Sequence, residues 1–481
     1  MALSSSKKLG TASSALFAIF CLVLSVCFAA GQTSTSSPSR YHQLARDIFQ
    51  ELVEIKSTES GVSSTPAAEA IARRMRAAGF PEADIQVIGP SERKKNVVVR
   101  LHGRGQAKPI LIFGHLDVVE AEKGDWSPDL DPFKLIERDG YFYGRGTQDM
   151  KGAATIAAVN FIRWKQQGWV PSRDLILALT GDEELYGDED GIDWLLKHHR
   201  ELIDSEYSLN SDAGDFLTRN GKPYTVALSA GEKKEVILQL ITRNRGGHGS
   251  RPREDNAIYE LNAAVDRVAK LKFPAVLNDV TRAQFIAMSK LESGQAATDM
   301  QAAARNPPDP AAVDRLSKDP FYNALLRTTC VATMLKAGHG PSALPQRAEA
   351  TINCRIVPGQ TSAWLMNALR EAVADDGVAI SWQFNEPSDP PASPLRPDVF
   401  SAAKKGVDSM WPGVTVLPGM MTGMTDSRFL RAANIPSYGV TGLFIEEGDN
   451  RAHGKDERIR ISDFYAGLEF YDQFVKLLAS H

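Results

Sequence analysis

Two histidines and five acids, each placed just past an apolar run, are the residues of this chain best suited to chemistry. They are His115-x-Asp117, Asp149, the adjacent pair Glu183-Glu184, Asp212 and His453. Imidazole nitrogens and carboxylate oxygens are the ligands that divalent zinc and its neighbours accept. Two histidines and three carboxylates, with one carboxylate shared, suffice to hold two cations around a bridging water. The charges balance as well: four positive charges meet Asp149, Glu184, Asp212 and a hydroxide. Glu183 is then left over as a proton acceptor, which completes the equipment of a metal-assisted amide hydrolase.

The individual signals differ in strength. His115 and Asp117 leave the same face of an extended segment, so one can bind metal while the other orients its imidazole. The run Gly144-Arg145-Gly146-Thr147-Gln148-Asp149-Met150-Lys151-Gly152 is the most specific. It presents Asp149 from a glycine-punctuated turn, as a bridging ligand with both oxygens free requires. Glu183 and Glu184 diverge as neighbours do, so one can face metal and the other the water. With Asp182, Asp188, Glu189 and Asp190 nearby they could equally be a solvated acidic loop. Asp212 alone would read as a capping acid and His453 as a surface histidine. Asp456 is placed to orient His453.

The elements that must position these groups alternate. Helices are expected over Tyr41 to Ser57, Ala67 to Ala78, Ala153 to Gln167 and Asp193 to His199. Strands are expected over Ile85 to Ile88, Asn96 to His102, Ile110 to Phe113, Leu175 to Thr180 and Tyr207 to Asn210. This order predicts an α/β fold with a mixed, largely parallel sheet flanked by helices, and active groups at the strand ends. From about residue 230 to 388 the texture changes to a small α+β unit. It has strands at Glu235 to Thr242, Thr328 to Leu335, Ala348 to Val357 and Val378 to Phe384, and helices at Ala257 to Lys270 and Ser362 to Ala374. Pro274 to Pro320 is expected to add helices or loops. The division is thus residues 40–229 and 389–481 as one domain, with 230–388 inserted. The chain closes on a helix, Asp463 to Leu478.

At 481 residues two domains are the natural expectation. Hydrophobic content of 43%, charged content of 24% and a net charge of -4 describe a globular protein. They give no reason to invoke nucleic acid as a partner. Residues 1–31 have the layout of a signal peptide. Lys7 and Lys8 precede the apolar stretch Ala15 to Ala30, and a Ser/Thr-rich segment follows. Export, periplasmic or secreted, is therefore expected, with an uncleaved membrane anchor as the alternative. Cleavage removes Cys21 and Cys27. Cys330 and Cys354 then fall opposite one another in a hairpin, either as a disulfide or as two buried thiols.

The ordered motifs H-x-D, G-R-G-x-x-D-x-K-G, G-D-E-E, S-D-A-G and A-H-G-x-D-E resemble the co-catalytic zinc exopeptidases. That group includes glutamate carboxypeptidase, aminoacylase, carboxypeptidase S and succinyl-diaminopimelate desuccinylase. The resemblance runs through nearly all of the chain after the leader, and it implies two zinc ions, with cobalt or manganese as substitutes. His115, Asp149 and Asp212 would bind one, and Asp149, Glu184 and His453 the other, with Glu183 as general base and then acid. It further implies that the inserted unit is a lid through which a homodimer forms. His248, in Arg245-Gly246-Gly247-His248-Gly249-Ser250, would stabilise the oxyanion in the partner's site. Arg355 would clamp a substrate carboxylate. Ser342 stands where many relatives have Asn, so a substrate contact there is altered. Thr425 and Arg428, in Thr422 to Arg428, match the family's substrate loop more loosely.

The expected reaction is hydrolysis of amide bonds in small peptides from one end, as a carboxypeptidase or dipeptidase does. Deacylation of N-acyl amino acids is the runner-up, and a non-catalytic exported protein that binds peptide or metal is the reading from another class.

Overall fold

The computed structural model describes residues 40–184, 190–383 and 388–480. The leader expected over residues 1–31 lies outside them, as do Asp188, Glu189 and Phe384. Among the described residues, ten strands form the main sheet. Its centre is parallel: Ile110–His115 lies between Leu175–Thr180 and Tyr207–Asn210, and Ser437–Gly439 runs alongside the latter. On one side Asn96–Leu101 and Ile85–Ile88 extend the sheet antiparallel. On the other, Lys222–Glu232 pairs antiparallel with Asp215–Arg219 and parallel with Thr415–Met421. The sheet is mixed, and its parallel strands are the ones that carry the candidate site.

These central strands form because they are continuous apolar runs that can be covered on both faces. Every residue of Ile110–His115 and of Leu175–Thr180 is buried. Lys151–Gln166 lies against them and is buried through Ile162, so no polar stripe faces water. Ile461–Ala479 covers that helix in turn, with Trp164 Nε1 donating to Asp472 at 2.6 Å. No helix among the described residues is long and apolar enough to cross a membrane.

The chain passes from the main sheet at Glu232 into a second, four-stranded antiparallel sheet at Lys234. Its strand order is Thr329–Ala337, Arg347–Ile356, Lys234–Arg243, Val378–Trp382. One face packs on the helices Ala257–Lys270 and Ser362–Val373 around Leu238, Leu240, Ile352, Leu261 and Leu365. Cys330 and Cys354 are direct cross-strand partners and form a disulfide. The segment between Ala257–Lys270 and Thr329–Ala337 holds four helices, Asp279–Met288, Gly294–Ala303, Pro310–Leu316 and Pro320–Leu326. The first does not serve the small sheet: Gln284 accepts the backbone N–H of Met420 at 3.0 Å, so this helix covers the outer edge of Thr415–Met421 in the main sheet.

Candidate metal centre

The acids and histidines named from the sequence gather at the carboxyl ends of the parallel strands. His115 ends its strand. Glu183 and Glu184 follow Leu175–Thr180, and Asp212 follows Tyr207–Asn210. Asp149 precedes the buried helix Lys151–Gln166. His453 comes from the loop between Phe444–Glu446 and Arg458–Arg460. Glycine makes two close approaches possible here. A Cβ on Gly114 would lie 2.3 Å from the methyl of Met150, and Gly146 turns at φ +89° against the stem of Lys151.

The geometry centres on Asp149. Its Oδ1 is 3.1 Å from His115 Nε2, and its Oδ2 is 3.0 Å from His453 Nε2. His115 Nε2 is also 3.5 Å from Asp212 Oδ1, and His453 Nε2 is 2.9 Å from Glu184 Oε1. Three sets of donor atoms therefore lie within 4.8 Å of one another: His115, Asp149 and Asp212; Asp149, Glu184 and His453; and His115, Glu183 and Glu184. One carboxylate turned toward two imidazoles, each with a further acid beside it, fits a pair of divalent cations sharing Asp149.

The electrostatics fit the same occupants. Burial, reinforced by the charge of Asp149, pushes Asp212 up to about 7. Burial likewise raises Glu184 and holds Glu183 well above the usual carboxylate range, against the pull of His115. Asp149 is also buried, but hydrogen bonds from both histidines hold it below the usual range. Hydrogen bonds to Asp149 and Glu184 raise His453 to about 10. So many acids crowded out of water call for positive charge.

The supports are not all those expected. His115 Nδ1 donates to the backbone carbonyl of Asp117 at 3.0 Å, while the Asp117 carboxylate lies 3.6 Å away. That carboxylate accepts the backbone N–H groups of Glu183 and Glu184 instead, at 3.4 and 3.1 Å. Asp117 thus fixes the imidazole through its main chain and the acid pair through its side chain. Asp456 does not orient His453; it accepts from Ser127, backbone and hydroxyl, at 2.9 and 2.6 Å. Its neighbour Glu457 closes the A-H-G-x-D-E motif, and its role is one that the motif does not state. Fully buried, it pairs with Arg145 at 2.7 Å and accepts the backbone N–H groups of Gly146, Gln148 and Asp149 at 3.1, 2.7 and 3.1 Å. A carboxylate that satisfies three N–H groups of one turn holds that turn rigid.

The remaining candidates are in none of these donor sets. His248 is exposed, in a two-residue ladder with Ala343 and Leu344, and its Nδ1 is 2.8 Å from Ser250 Oγ. It belongs to none of the donor groups among the described residues. Ser342 contributes its backbone carbonyl, which accepts the Gly249 N–H at 2.7 Å. Arg355 pairs with the buried Glu235 at 2.6 Å. Arg428 pairs with Asp190 at 3.2 Å, and its charge reaches Glu183. Thr425 departs from the expected substrate contact: it is 4% exposed and its hydroxyl donates to Glu232 at 2.8 Å.

Residues 111–477 match the model of Peptidase family M20/M25/M40. The chain belongs to this family. Among the relatives of this family member, human N-fatty-acyl-amino acid synthase/hydrolase PM20D1 is 29% identical over 77% of the chain and 74% of its own length. Probable carboxypeptidase S-like 2 of Dictyostelium discoideum is 28% identical over 77% and 71%. Rat aminoacylase-1B is 25% identical over 77% and 80%. The fold is that of an M20 family metallo-carboxypeptidase from Sulfolobus solfataricus, at a TM-score of 0.67, with 16% identity and coverage of 90% and 98%.

Proposed function

We propose that the protein hydrolyses amide bonds beside a free carboxylate in small substrates, cutting peptides from one end as a carboxypeptidase or dipeptidase does. The observation that carries this reading is Asp149, whose two oxygens face two different histidines. His115, Asp149 and Asp212 would hold one cation and Asp149, Glu184 and His453 the other, with zinc in both sites. Bound there, the two ions would supply Lewis acidity and a more acidic attacking water.

The chain's own groups do the rest. Glu183 takes a proton from the attacking water and passes it to the leaving amine. Asp117 keeps Glu183 beside Glu184 by accepting both backbone N–H groups. His248 donates to the developing oxyanion, in the site of a second subunit. Arg355 receives the substrate carboxylate, and the charge of Arg428 acts on Glu183. Residues 230–388 act as the lid. The outer strand Thr329–Ala337 supports pairing with a second copy, since Val331, Met334 and Leu335 are 60%, 68% and 62% exposed on an open sheet edge. Export is supported by the leader-like residues 1–31 and by the disulfide.

A second reading, deacylation of N-acyl amino acids, is favoured by the curated relatives whose names carry that activity. It needs the same carboxylate beside the same bond. A panel of dipeptides and N-acyl amino acids, followed by amine release with zinc, cobalt or manganese and with a chelator, separates the two. Metal-dependent release is the expected result. Release unaffected by chelator, or none from any member of either class, overturns the proposal.

A further inference from the structure

Glu232, Lys233 and Lys234 carry the chain from the main sheet into the small one, and all three are buried. None has a part in the hydrolysis proposed above. Glu232 Oε1 lies 2.8 Å from Arg431 Nη1, each side chain 2% exposed. Its Oε2 accepts the backbone N–H of Thr425 at 3.0 Å and the hydroxyl at 2.8 Å. The Thr425 oxygen accepts Nδ2 of Asn210 at 3.0 Å, and Oδ1 of Asn210 accepts the backbone N–H of Asp212 at 2.9 Å. Asp212 Oδ1 is the atom 3.5 Å from His115 Nε2.

This relay has a polarity. A carboxylate only accepts, so the Thr425 hydroxyl must spend its one proton on Glu232. The hydroxyl then offers Asn210 nothing but lone pairs. The amide of Asn210 must therefore turn its NH2 toward Thr425 and its oxygen toward the Asp212 N–H. The NH2 of Asn210 also donates to Ser427 Oγ at 3.0 Å, so Glu232, acting through Thr425, is one of two groups that hold the amide in this orientation.

We infer that Glu232 is a positioning residue for the metal centre, acting through Thr425 and Asn210 to fix Asp212. The inference rests on the two-cation reading of that centre and deepens it. A residue that touches neither cation nor substrate then governs how tightly the cation beside Asp212 is held. Groups hydrogen-bonded to metal ligands typically contribute about ten- to a hundredfold to affinity or activity. Thr425 and Glu232 stand two and three hydrogen bonds from Asp212, so about tenfold or less is expected of them.

The test is Thr425→Val, which keeps the shape and removes the hydroxyl. In competition with a chelator, the full-length variant is expected to lose one of two zinc ions at up to about tenfold lower chelator concentration than wild type. Turnover should fall at unchanged KM. Thr425→Ser, which keeps the hydroxyl, should recover most of both properties. Glu232→Leu, which removes both acceptor oxygens, should match Thr425→Val, and the double variant should be no worse than either, because both cut one relay. Thr425→Val decides alone if Glu232→Leu, which leaves Arg431 without its charge partner, does not fold. Wild-type zinc retention and turnover in Thr425→Val would overturn the inference, and a raised KM alone would make Thr425 a substrate contact instead. If wild type binds two zinc ions but hydrolyses nothing, the proposed function fails while the zinc competition still judges Glu232.

Discussion

Asp149 and His248 both sit on turns bounded by glycines, yet their surroundings differ in almost every respect. The turn that presents Asp149 is buried, and Glu457 accepts three of its backbone N–H groups. Arg145 neutralises that acid from within the turn itself. The turn that presents His248 is exposed, held by a two-residue ladder and one bond from Gly249 to Ser342. On the roles proposed for them, the difference is one of timing. Cation ligands must be in place before substrate arrives, so their scaffold is rigid and buried. An oxyanion donor is needed only during the reaction, and a lightly tethered surface turn can deliver it.

The largest effect expected is at the base. Glu183→Gln should lower kcat by about 10²- to 10⁴-fold while two cations per chain remain, as judged by elemental analysis. Full activity would remove Glu183 from the role. Next, Glu457→Ala should strike the rigid turn. With Arg145 left as an uncompensated buried charge, the loss of stability should be about 3–5 kcal/mol in a urea titration. A loss near zero would mean that the turn does not need its buried acid. The lightly held turn should behave in the opposite way: His248→Ala should cost about 10²- to 10³-fold in kcat, with unfolding midpoint and metal content unchanged. Altered metal content would put His248 in the centre rather than above it. Smallest is the double change Cys330→Ser and Cys354→Ser. It should cost about 2–4 kcal/mol of stability without altering kcat of the folded enzyme.

Much of this architecture is legible in the residues. Ile110–His115 and Leu175–Thr180 are unbroken apolar runs, and a strand buried on both faces has to look that way. Thr415–Met421 is a different case, because Pro418 and Gly419 argue against a strand. It exists at a register shift beside Lys222–Glu232, and Gln284 meets its outer edge. Site residues obey the same logic. Asp149 stands out because glycines flank it, whereas Glu457, though it closes A-H-G-x-D-E, stands in a charged run, Lys455-Asp456-Glu457-Arg458, that gives no sign of its burial. Only the fold shows that Asp456 serves Ser127 and Glu457 the Asp149 turn. Thr425 is opaque in the sequence for a related reason: a motif names its residue types, but which way a hydroxyl points depends on the buried acid it meets.

If one aspartate is shared by two cations, the number of cations per chain must follow from which ligand is removed. Dialysed wild type should contain two per chain, His453→Ala one, and Asp149→Ala none, with activity lost whenever the count falls. Wild type that is active yet free of metal, or an Asp149→Ala protein that keeps both ions, would contradict it.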